Sequence, residues 1–233
     1  EDSLAYFPAR KTLLLGNPMR QAILDIRQVG PLVARERLGL AGDQPLLLVT
    51  GGSQGARHLN QVVCQTLPEL LETCQVLQIS GKDLYNETLE QSNSVLAGTN
   101  AALRERYRLV AYLNEEMPAA LQAADLVLCR SGASTLSELA TLSKPSLLVP
   151  LPPAIGKSPQ EANAAMFERS GAGVVIKNAD LEPKLLAQQV KYIMTSSEIL
   201  AFMMEAAGSL ARPQATQEIV EELIKVARIK VGR

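Results

Sequence analysis

The sequence predicts an α/β protein with a doubly wound, Rossmann-like parallel sheet, and three observations support this fold class. From Leu46 onward, short apolar runs alternate with amphipathic stretches, as they do in parallel sheets whose strands are connected by helices. The first apolar run is followed by Gly51-Gly-Ser-Gln-Gly55, a strand-to-helix turn of a kind that binds phosphate in such folds. The length of 233 residues is enough for one large domain, or for one domain with part of another.

Six segments are predicted to be strands. Each is a short apolar run bounded by glycine, proline or polar residues, which indicates a strand buried on both faces. Ligands of a doubly wound sheet bind beyond the carboxyl ends of its strands, so we expect the functional residues in the segments that follow. The predicted strands are Leu46–Thr50, Gln75–Ser80, Leu109–Leu113, Asp125–Cys129, Pro145–Val149 and Gly173–Ile176.

Helical periodicity predicts most of the connections between these strands. Apolar residues recur at helical spacing from Leu59 to Leu70, and Pro68 is expected to break or restart that helix. A short helix is expected between Gln21 and Gly39. Later helices are predicted near Glu116–Ala123, Thr135–Leu142, Pro159–Ser170, Leu181–Met194, Glu198–Leu210 and Gln214–Ala227.

The first residues of the chain do not resemble the start of a domain. Ala9-Arg-Lys-Thr-Leu-Leu-Leu15 reads as a strand that ends in Gly16-Asn-Pro-Met-Arg20, and no earlier strand precedes it. We therefore interpret residues 1–20 as the tail of a preceding domain with a linker, and residues 21–233 as the domain itself.

Composition argues against several kinds of partner and site. The formal net charge is −1, so no overall field would attract nucleic acid or an anionic membrane. The sequence has neither a charged-then-apolar leader nor an apolar run of about 18 residues, so we expect no signal peptide and no spanning helix. Its three cysteines lie in apolar segments without C-x-x-C spacing, as buried cytosolic thiols do. A single histidine, His58, makes a histidine metal site or a Ser-His triad hard to assemble.

The glycine-rich turn alone has two interpretations. Its small residues let the backbone approach a ligand, and the N-terminus of the following helix favours an anion such as phosphate. Such turns also serve simply as tight connections, and this one has neither the G-x-G-x-x-G pattern nor the Lys-Ser/Thr of a P-loop.

Polar residues also follow the second, fourth and fifth predicted strands. Ser80-Gly81-Lys82 follows the second, and Arg130-Ser-Gly-Ala-Ser-Thr-Leu-Ser-Glu138 the fourth. Thr135 and Glu138 fit a capping box, so Glu138 either caps the helix, which the spacing favours, or accepts the hydroxyls of a ribose.

After the fifth strand, Ser158-Pro-Gln-Glu161 fits a second capping box with Pro159 at the first helical position. Gln160 and Asn163 would share a face near the start of this helix. Their amides suit the hydroxyls of a sugar, or they are solvated surface residues.

Four motifs, in order along the chain, carry a resemblance to one family. Together they resemble the bacterial UDP-N-acetylglucosamine:undecaprenyl-pyrophosphoryl-muramoyl-pentapeptide N-acetylglucosaminyltransferases over nearly all of residues 10–228. That family has two Rossmann-like domains of the GT-B type facing each other across a cleft, and this sequence resembles the C-terminal, donor-binding half plus the final strand of the N-terminal half. The motifs are Gly16-Asn-Pro-Met-Arg20, Gly51-Gly-Ser-Gln-Gly-Ala-Arg57 with Leu59-Asn60, Arg130-Ser-Gly-Ala-Ser-Thr-Leu-Ser-Glu138, and Gln160-Glu-Ala-Asn-Ala164.

The resemblance implies an inverting transferase that moves N-acetylglucosamine from UDP-N-acetylglucosamine to the lipid-linked muramoyl-pentapeptide. It implies a cytoplasmic enzyme, peripheral at the inner face of the plasma membrane, that uses no cofactor and no metal; the sequence also has no Asp-x-Asp motif. The family's acceptor site, membrane-facing surface and candidate general base lie in the N-terminal half, so no catalytic residue is assigned in this chain.

The resemblance also implies roles for individual donor-binding residues. Arg20 would neutralise the diphosphate from the linker, Gly52, Ser53 and Gln54 would bind phosphate, and Leu113 would present its backbone to the uracil. Of the other residues, Ala133, Ser134 and Thr135 would line the nucleotide, Glu138 would accept the ribose hydroxyls, and Gln160 with Asn163 would hold the N-acetylglucosamine.

Two other hypotheses remain open from the sequence. The chain would be the donor-binding subunit of a split glycosyltransferase acting on lipid-linked sugars, or a non-catalytic sugar-nucleotide binding module. We favour the enzyme, because Leu13–Arg20 preserves an interdomain linker that a free-standing module would not need.

Overall fold

The fold is built on one parallel sheet with the Rossmann strand order. The computed structural model describes residues 4, 6–42, 44–152 and 160–231. Within these residues the sheet has six strands in the order β3-β2-β1-β4-β5-β6, every neighbouring pair parallel. The predicted fold class is confirmed. The strands are β1 (Leu46–Thr50), β2 (Gln75–Ile79), β3 (Tyr107–Val110), β4 (Leu126–Cys129), β5 (Ser146–Leu148) and β6 (Gly173–Val175).

Helices pack on both faces of this sheet. Along β1, Leu46 and Leu48 enter one hydrophobic core while Leu47 and Val49 enter the other, because successive side chains of a strand point to opposite faces. The helices are α1 (Gln21–Ile26), α2 (Pro31–Arg37), α3 (Arg57–Thr73), α4 (Tyr85–Leu96), α5 (Ala101–Arg104), α6 (Met117–Ala123), α7 (Ala133–Thr141), α8 (Gln160–Ser170), α9 (Pro183–Met194), α10 (Ser197–Ser209) and α11 (Ala215–Val231). In the described part of the chain, none of them has the length and apolarity needed to cross a membrane.

The sheet follows the predicted strands closely except at β3. This strand begins at Tyr107 and ends at Val110, whereas the sequence predicts Leu109–Leu113. Its last pairing partner is Ile79, the final residue of β2, so the residues after Val110 have no neighbour to pair with. Leu113 therefore lies in a loop beyond the carboxyl end of the sheet.

The expected break at Pro68 is wrong, because α3 runs unbroken from Arg57 to Thr73. An interior proline removes one backbone hydrogen bond and costs about 3 kcal/mol. Leu67, Leu70 and Leu71 around it are at most 1% exposed. Each buried leucine contributes about 1.5–3 kcal/mol, so packing against the sheet outweighs the defect.

The predicted N-terminal strand is also wrong. Ala9–Lys11 forms a short 3-10 helix, and residues 12–20 have no regular structure. In the described residues the edges of the sheet are β3 and β6, so this segment has no strand beside it. It is held by α11 instead, since the Met19 N–H donates to Thr216 Oγ1 at 2.7 Å.

The described residues form eleven α-helices, three more than the eight that the sequence predicts. The one short helix expected between Gln21 and Gly39 is two, α1 and α2. α4 and α5 lie between β2 and β3, where no helix is predicted. The inward positions of α4 include Thr88 and Ser92, so its apolar periodicity is weak in the sequence.

Candidate functional site

A cavity of about 780 Å³ lies at the carboxyl ends of β1 and β4. Thr50 and Cys129, the last residues of these two strands, line it. β1 and β4 are neighbours at the point where the strand order reverses, and this is where ligands of open α/β sheets bind. Of the eleven predicted site residues, eight line the cavity: Arg20, Gly52, Ser53, Gln54, Leu113, Thr135, Glu138 and Gln160.

The glycine-rich turn forms one wall, and its conformation requires glycine. Gly52 and Gly55 have φ values of 88° and 78°, in the left-handed region that other residues adopt at a cost. A Cβ atom on Gly51 would lie 2.4 Å from the Ala56 nitrogen. Tight packing therefore excludes a side chain at Gly51 and Gly55, whereas at Gly52, where a Cβ atom would meet open space, the positive φ alone disfavours one.

α3 begins directly after this turn with its first N–H groups uncapped. Its N-cap is Ala56, which has no side-chain acceptor. The first N–H groups of a helix have no partner within it, and together with the helix dipole they favour an anion. Gly52, Ser53 and Gln54 are exposed, so the turn and the helix start can receive a phosphate.

The predicted capping box at Thr135 is wrong. α7 begins two residues earlier, at Ala133, with Gly132 as its N-cap and no side-chain cap. Thr135 is therefore the third residue of the helix, and Glu138 lies in the second turn, too far along to cap it. Ala133 and Ser134 are exposed on the first turn and do not line the cavity.

Arg20 and Glu138 meet in this cavity. Arg20 Nε donates to Glu138 Oε1 at 2.8 Å, and the Glu138 side chain is 14% exposed whereas that of Arg20 is 50% exposed. Asn17 holds the linker on the same helix, since its Nδ2 donates to Ser137 Oγ at 2.8 Å and to the Ala133 carbonyl at 3.3 Å. The structure thus joins two residues to which the sequence assigns separate roles.

Gln160 and Asn163 both contact the loops that follow strands. The Leu151 N–H donates to Gln160 Oε1 at 3.0 Å, and Asn163 Nδ2 donates to the Ser131 carbonyl at 3.1 Å. Gln160 lines the cavity, whereas Asn163 does not. The second predicted capping box involves Ser158 and Pro159, which lie outside the described residues.

Two further polar residues of the cavity, Arg130 and Asn178, are missing from the predicted set. Arg130 Nη1 donates to Asn178 Oδ1 at 2.8 Å and to the carbonyls of Val149 and Pro150 at 3.0 and 3.3 Å. Burial lowers the pKa of the Arg130 guanidinium. Arg130 belongs to one of the sequence motifs, so the sequence offers a signal for it. Asn178 follows β6 in a segment without a motif, and only the fold brings Asn178 to the site.

Tyr112 adds an aromatic ring to the rim and is absent from the predicted set, which contains its neighbour Leu113. The ring is 42% exposed and lines the cavity. Lys82 Nζ, from the segment that follows β2, lies 5.1 Å from its centroid, a cation–π contact that holds the ring in place.

The chemistry of the lining favours binding of an anion over nucleophilic catalysis. Burial raises the pKa of the Cys129 thiol to about 12, so this thiol stays protonated near neutral pH and is a poor nucleophile. Among the described residues, no three histidine, cysteine, aspartate or glutamate side chains are grouped so that they could hold a metal ion. Arg20 and the uncapped starts of α3 and α7 supply positive potential instead.

Comparison with known proteins gives a consistent picture. Residues 46–222 match the glycosyltransferase family 28 C-terminal domain. A UDP-N-acetylglucosamine–N-acetylmuramyl-(pentapeptide) pyrophosphoryl-undecaprenol N-acetylglucosamine transferase of Caldanaerobacter subterraneus subsp. tengcongensis is 35% identical over 222 residues, which are 95% of this chain and 58% of that protein. The protein of the same name from Desulfitobacterium hafniense strain Y51 is 39% identical over 230 residues, 97% of this chain and 60% of that protein.

A solved structure is similar as well. The crystal structure of Acinetobacter baumannii MurG matches with a TM-score of 0.68 and 27% sequence identity, over 86% of this chain and 55% of that one. The chain thus spans 58% and 60% of the length of the two curated relatives described above.

Proposed function

The chain belongs to the family defined by the glycosyltransferase family 28 C-terminal domain, and we propose that it is the donor-binding half of an inverting N-acetylglucosaminyltransferase of peptidoglycan synthesis. The sugar passes from UDP-N-acetylglucosamine to undecaprenyl-pyrophosphoryl-muramoyl-pentapeptide. The observation that carries the proposal is that one cavity holds the glycine-rich turn, the start of α3 and the Arg20–Glu138 pair.

The diphosphate binds to the glycine-rich turn. Backbone N–H groups of Ser53 and Gln54 and at the start of α3 donate to its oxygens, Gly52 lets the backbone approach them, and the Arg20 guanidinium neutralises its charge. As the bond from the sugar to the diphosphate breaks, negative charge grows on the leaving diphosphate. Donors that are already in place stabilise that charge without reorganisation, so the leaving group needs no metal or other cofactor.

The nucleoside and the sugar occupy the two sides of the diphosphate. The Glu138 carboxylate accepts the ribose hydroxyls, Ala133, Ser134 and Thr135 flank the nucleotide, and the backbone of Leu113 faces the uracil. Gln160 faces the N-acetylglucosamine, and Asn163 serves the same side by holding the Ser131 carbonyl.

The acceptor side lies outside this chain in the proposal. Residues 1–20 are the tail of an acceptor-binding domain and the interdomain linker, and residues 21–233 are the donor domain. Because the acceptor carries an undecaprenyl chain, the assembled enzyme works at the cytoplasmic face of the plasma membrane. The catalytic base and the acceptor site belong to the missing half, whether it is part of a longer chain or a separate subunit.

Isothermal titration calorimetry tests the donor site directly. We expect the chain to bind UDP-N-acetylglucosamine more tightly than UDP-glucose, and UDP more tightly than GDP. Glu138→Ala removes the proposed ribose ligand, so it should abolish this binding. Glu168→Ala is the matched control, because Glu168 is an exposed carboxylate outside the cavity. Equal affinity for UDP and GDP, or undiminished binding by Glu138→Ala, would contradict the proposal.

A further inference from the structure

Three polar side chains form a hydrogen-bonded chain behind the glycine-rich turn. Tyr107 Oη donates to Gln78 Oε1 at 2.8 Å, and Gln78 Nε2 donates to Asn60 Oδ1 at 3.3 Å. Asn60 Nδ2 then donates to the Ser80 carbonyl at 2.9 Å. These hydrogen bonds thus connect the edge strand β3, through β2, to α3 and to the segment that follows β2.

These side chains are buried where apolar residues would ordinarily pack. Gln78 is 0% exposed and Asn60 is 2% exposed, while Val76 on the same face of β2 and Leu59 and Val63 of α3 belong to the hydrophobic core there. Burying an amide brings no hydrophobic gain and tolerates no unpaired atom. Asn60 satisfies the Ser80 carbonyl, whereas Gln78 bonds only the side chains of Asn60 and Tyr107, so the need to satisfy a backbone group explains the first amide but not the second.

What the hydrogen-bonded chain does hold is one backbone atom, the Ser80 carbonyl oxygen. This oxygen packs directly on the glycine-rich turn, because a Cβ atom on Gly55 would lie 2.0 Å from it. The contact is repeated one residue later, since a Cβ atom on Gly81 would lie 2.6 Å from the Gln54 carbonyl oxygen. The position of Ser80 and Gly81 therefore sets the position of Gln54 and Gly55.

We propose that Asn60 and Gln78, with Tyr107 at the far end, are positioning residues for the diphosphate: they fix the Ser80 carbonyl and through it the N–H groups of the glycine-rich turn. None of the three lines the cavity, so none touches the donor. The inference rests on the proposed function, because it concerns the same site. The inference can be tested separately from the proposed function, because loss of the hydrogen-bonded chain should weaken binding of the diphosphate and leave binding of the nucleoside intact.

Two buried glutamines of β2, Gln78 and Gln75, provide a matched pair of variants. Gln78→Leu breaks the hydrogen-bonded chain at the carboxyl end of β2. Gln75→Leu is the control, because Gln75 is 4% exposed at the amino end of β2 and donates to the carbonyls of Ala41 and Gln44 at 2.7 and 2.9 Å. Both substitutions remove a buried amide, so both destabilise the fold, but only the first lies behind the glycine-rich turn.

The experiment measures the affinities of the wild-type chain and its variants for UDP and for uridine by titration calorimetry, with thermal unfolding to confirm that each variant is folded. Gln78→Leu should weaken UDP binding about fivefold to tenfold, the usual size of a lost hydrogen bond, and change uridine binding less than about twofold. Gln75→Leu should change neither. Tyr107→Phe keeps the ring and removes only the outermost hydrogen bond, so it should weaken UDP binding less than Gln78→Leu does. If Gln78→Leu does not fold, Tyr107→Phe is compared with the wild-type chain in its place.

One result would overturn the positioning role alone. It is a ratio of UDP to uridine affinity that is unchanged in Gln78→Leu and in Tyr107→Phe, whether neither affinity changes or both fall by the same factor. A wild-type chain that binds no UDP would contradict the proposed function, and the positioning role with it.

Discussion

At the scale of single residues, the pairing of Arg20 with Glu138 links the linker to the ribose side of the site. An ion pair whose arginine is half exposed adds little to stability, about 0–1 kcal/mol. Its value lies in geometry, because the bond from Arg20 Nε to Glu138 Oε1 orients both groups toward one cavity before the donor arrives. Donor binding and the position of residues 16–20 are therefore coupled in the proposed enzyme.

This coupling leads to a prediction for Arg20→Ala. We expect UDP to bind about tenfold to a hundredfold more weakly, the range of a lost charged hydrogen bond, while the free energy of unfolding changes by less than about 1 kcal/mol. Titration calorimetry and urea unfolding measure the two quantities. Arg27→Ala is the control, since Arg27 is exposed at the end of α1 and lies outside the cavity. A loss of stability without a loss of affinity would show that Arg20 acts only as a structural partner of Glu138.

The four motifs that carry the family resemblance contain most of the predicted residues that line this cavity. Gly52, Ser53 and Gln54 could be expected there because their turn joins a buried strand to a helix, although the turn alone fits a tight connection as well as an anion site. The pairing of Arg20 with Glu138 could not be expected, since the two residues are 118 positions apart in the chain and their contact depends on how the linker crosses α7. Asn178 and the hydrogen-bonded chain from Tyr107 to Asn60 are likewise products of the strand order.

At the scale of secondary-structure elements, α3 contains a defect that it tolerates. Pro68 lies inside the helix, where it has no N–H to donate to the carbonyl four residues earlier. Pro68→Ala restores that hydrogen bond and should raise the free energy of unfolding by about 1–3 kcal/mol. Urea unfolding measures the change, and the affinity for UDP should be unaltered because Pro68 lies outside the cavity. A lower free energy of unfolding would mean that packing of the proline ring contributes more than the missing hydrogen bond costs.

The elements that sequence reasoning placed correctly are those with strong apolar runs. β1 and β4 are buried along their whole length, so hydrophobicity alone defines them. The N-terminal strand and the capping box at Thr135 were wrong because local patterns compete with tertiary context. Leu13 and Leu14 satisfy the strand pattern but have no neighbouring strand in the described sheet. α7 begins after Gly132, an N-cap residue that has no side-chain hydrogen bond, two residues before the predicted start.

At the scale of the whole molecule, the first and last described segments lie together and leave apolar residues exposed. A Cβ atom on Gly16 would lie within 3.2 Å of Arg212 and Ala215 side-chain atoms, and the Thr216 hydroxyl hydrogen-bonds the Met19 backbone. Leu13 is 63% exposed, and along α11 Val220, Leu223 and Val226 are 48%, 64% and 54% exposed. In the proposed two-domain enzyme we expect the acceptor-binding half to cover these residues, because the start of α11 contacts the linker at Met19.

The exposure of Leu223 gives the last prediction. Leu223→Glu should change the free energy of unfolding of the 233-residue chain by less than about 0.5 kcal/mol, because surface positions tolerate substitution, and it should leave UDP binding intact. In a protein that also contains the acceptor-binding half, the same substitution would bury an unpaired carboxylate at the domain interface, which is costly. Unfolding of both proteins with and without the substitution distinguishes the cases. Equal, small effects in both would place α11 outside the domain interface and restrict the coupling between the halves to the linker at Arg20.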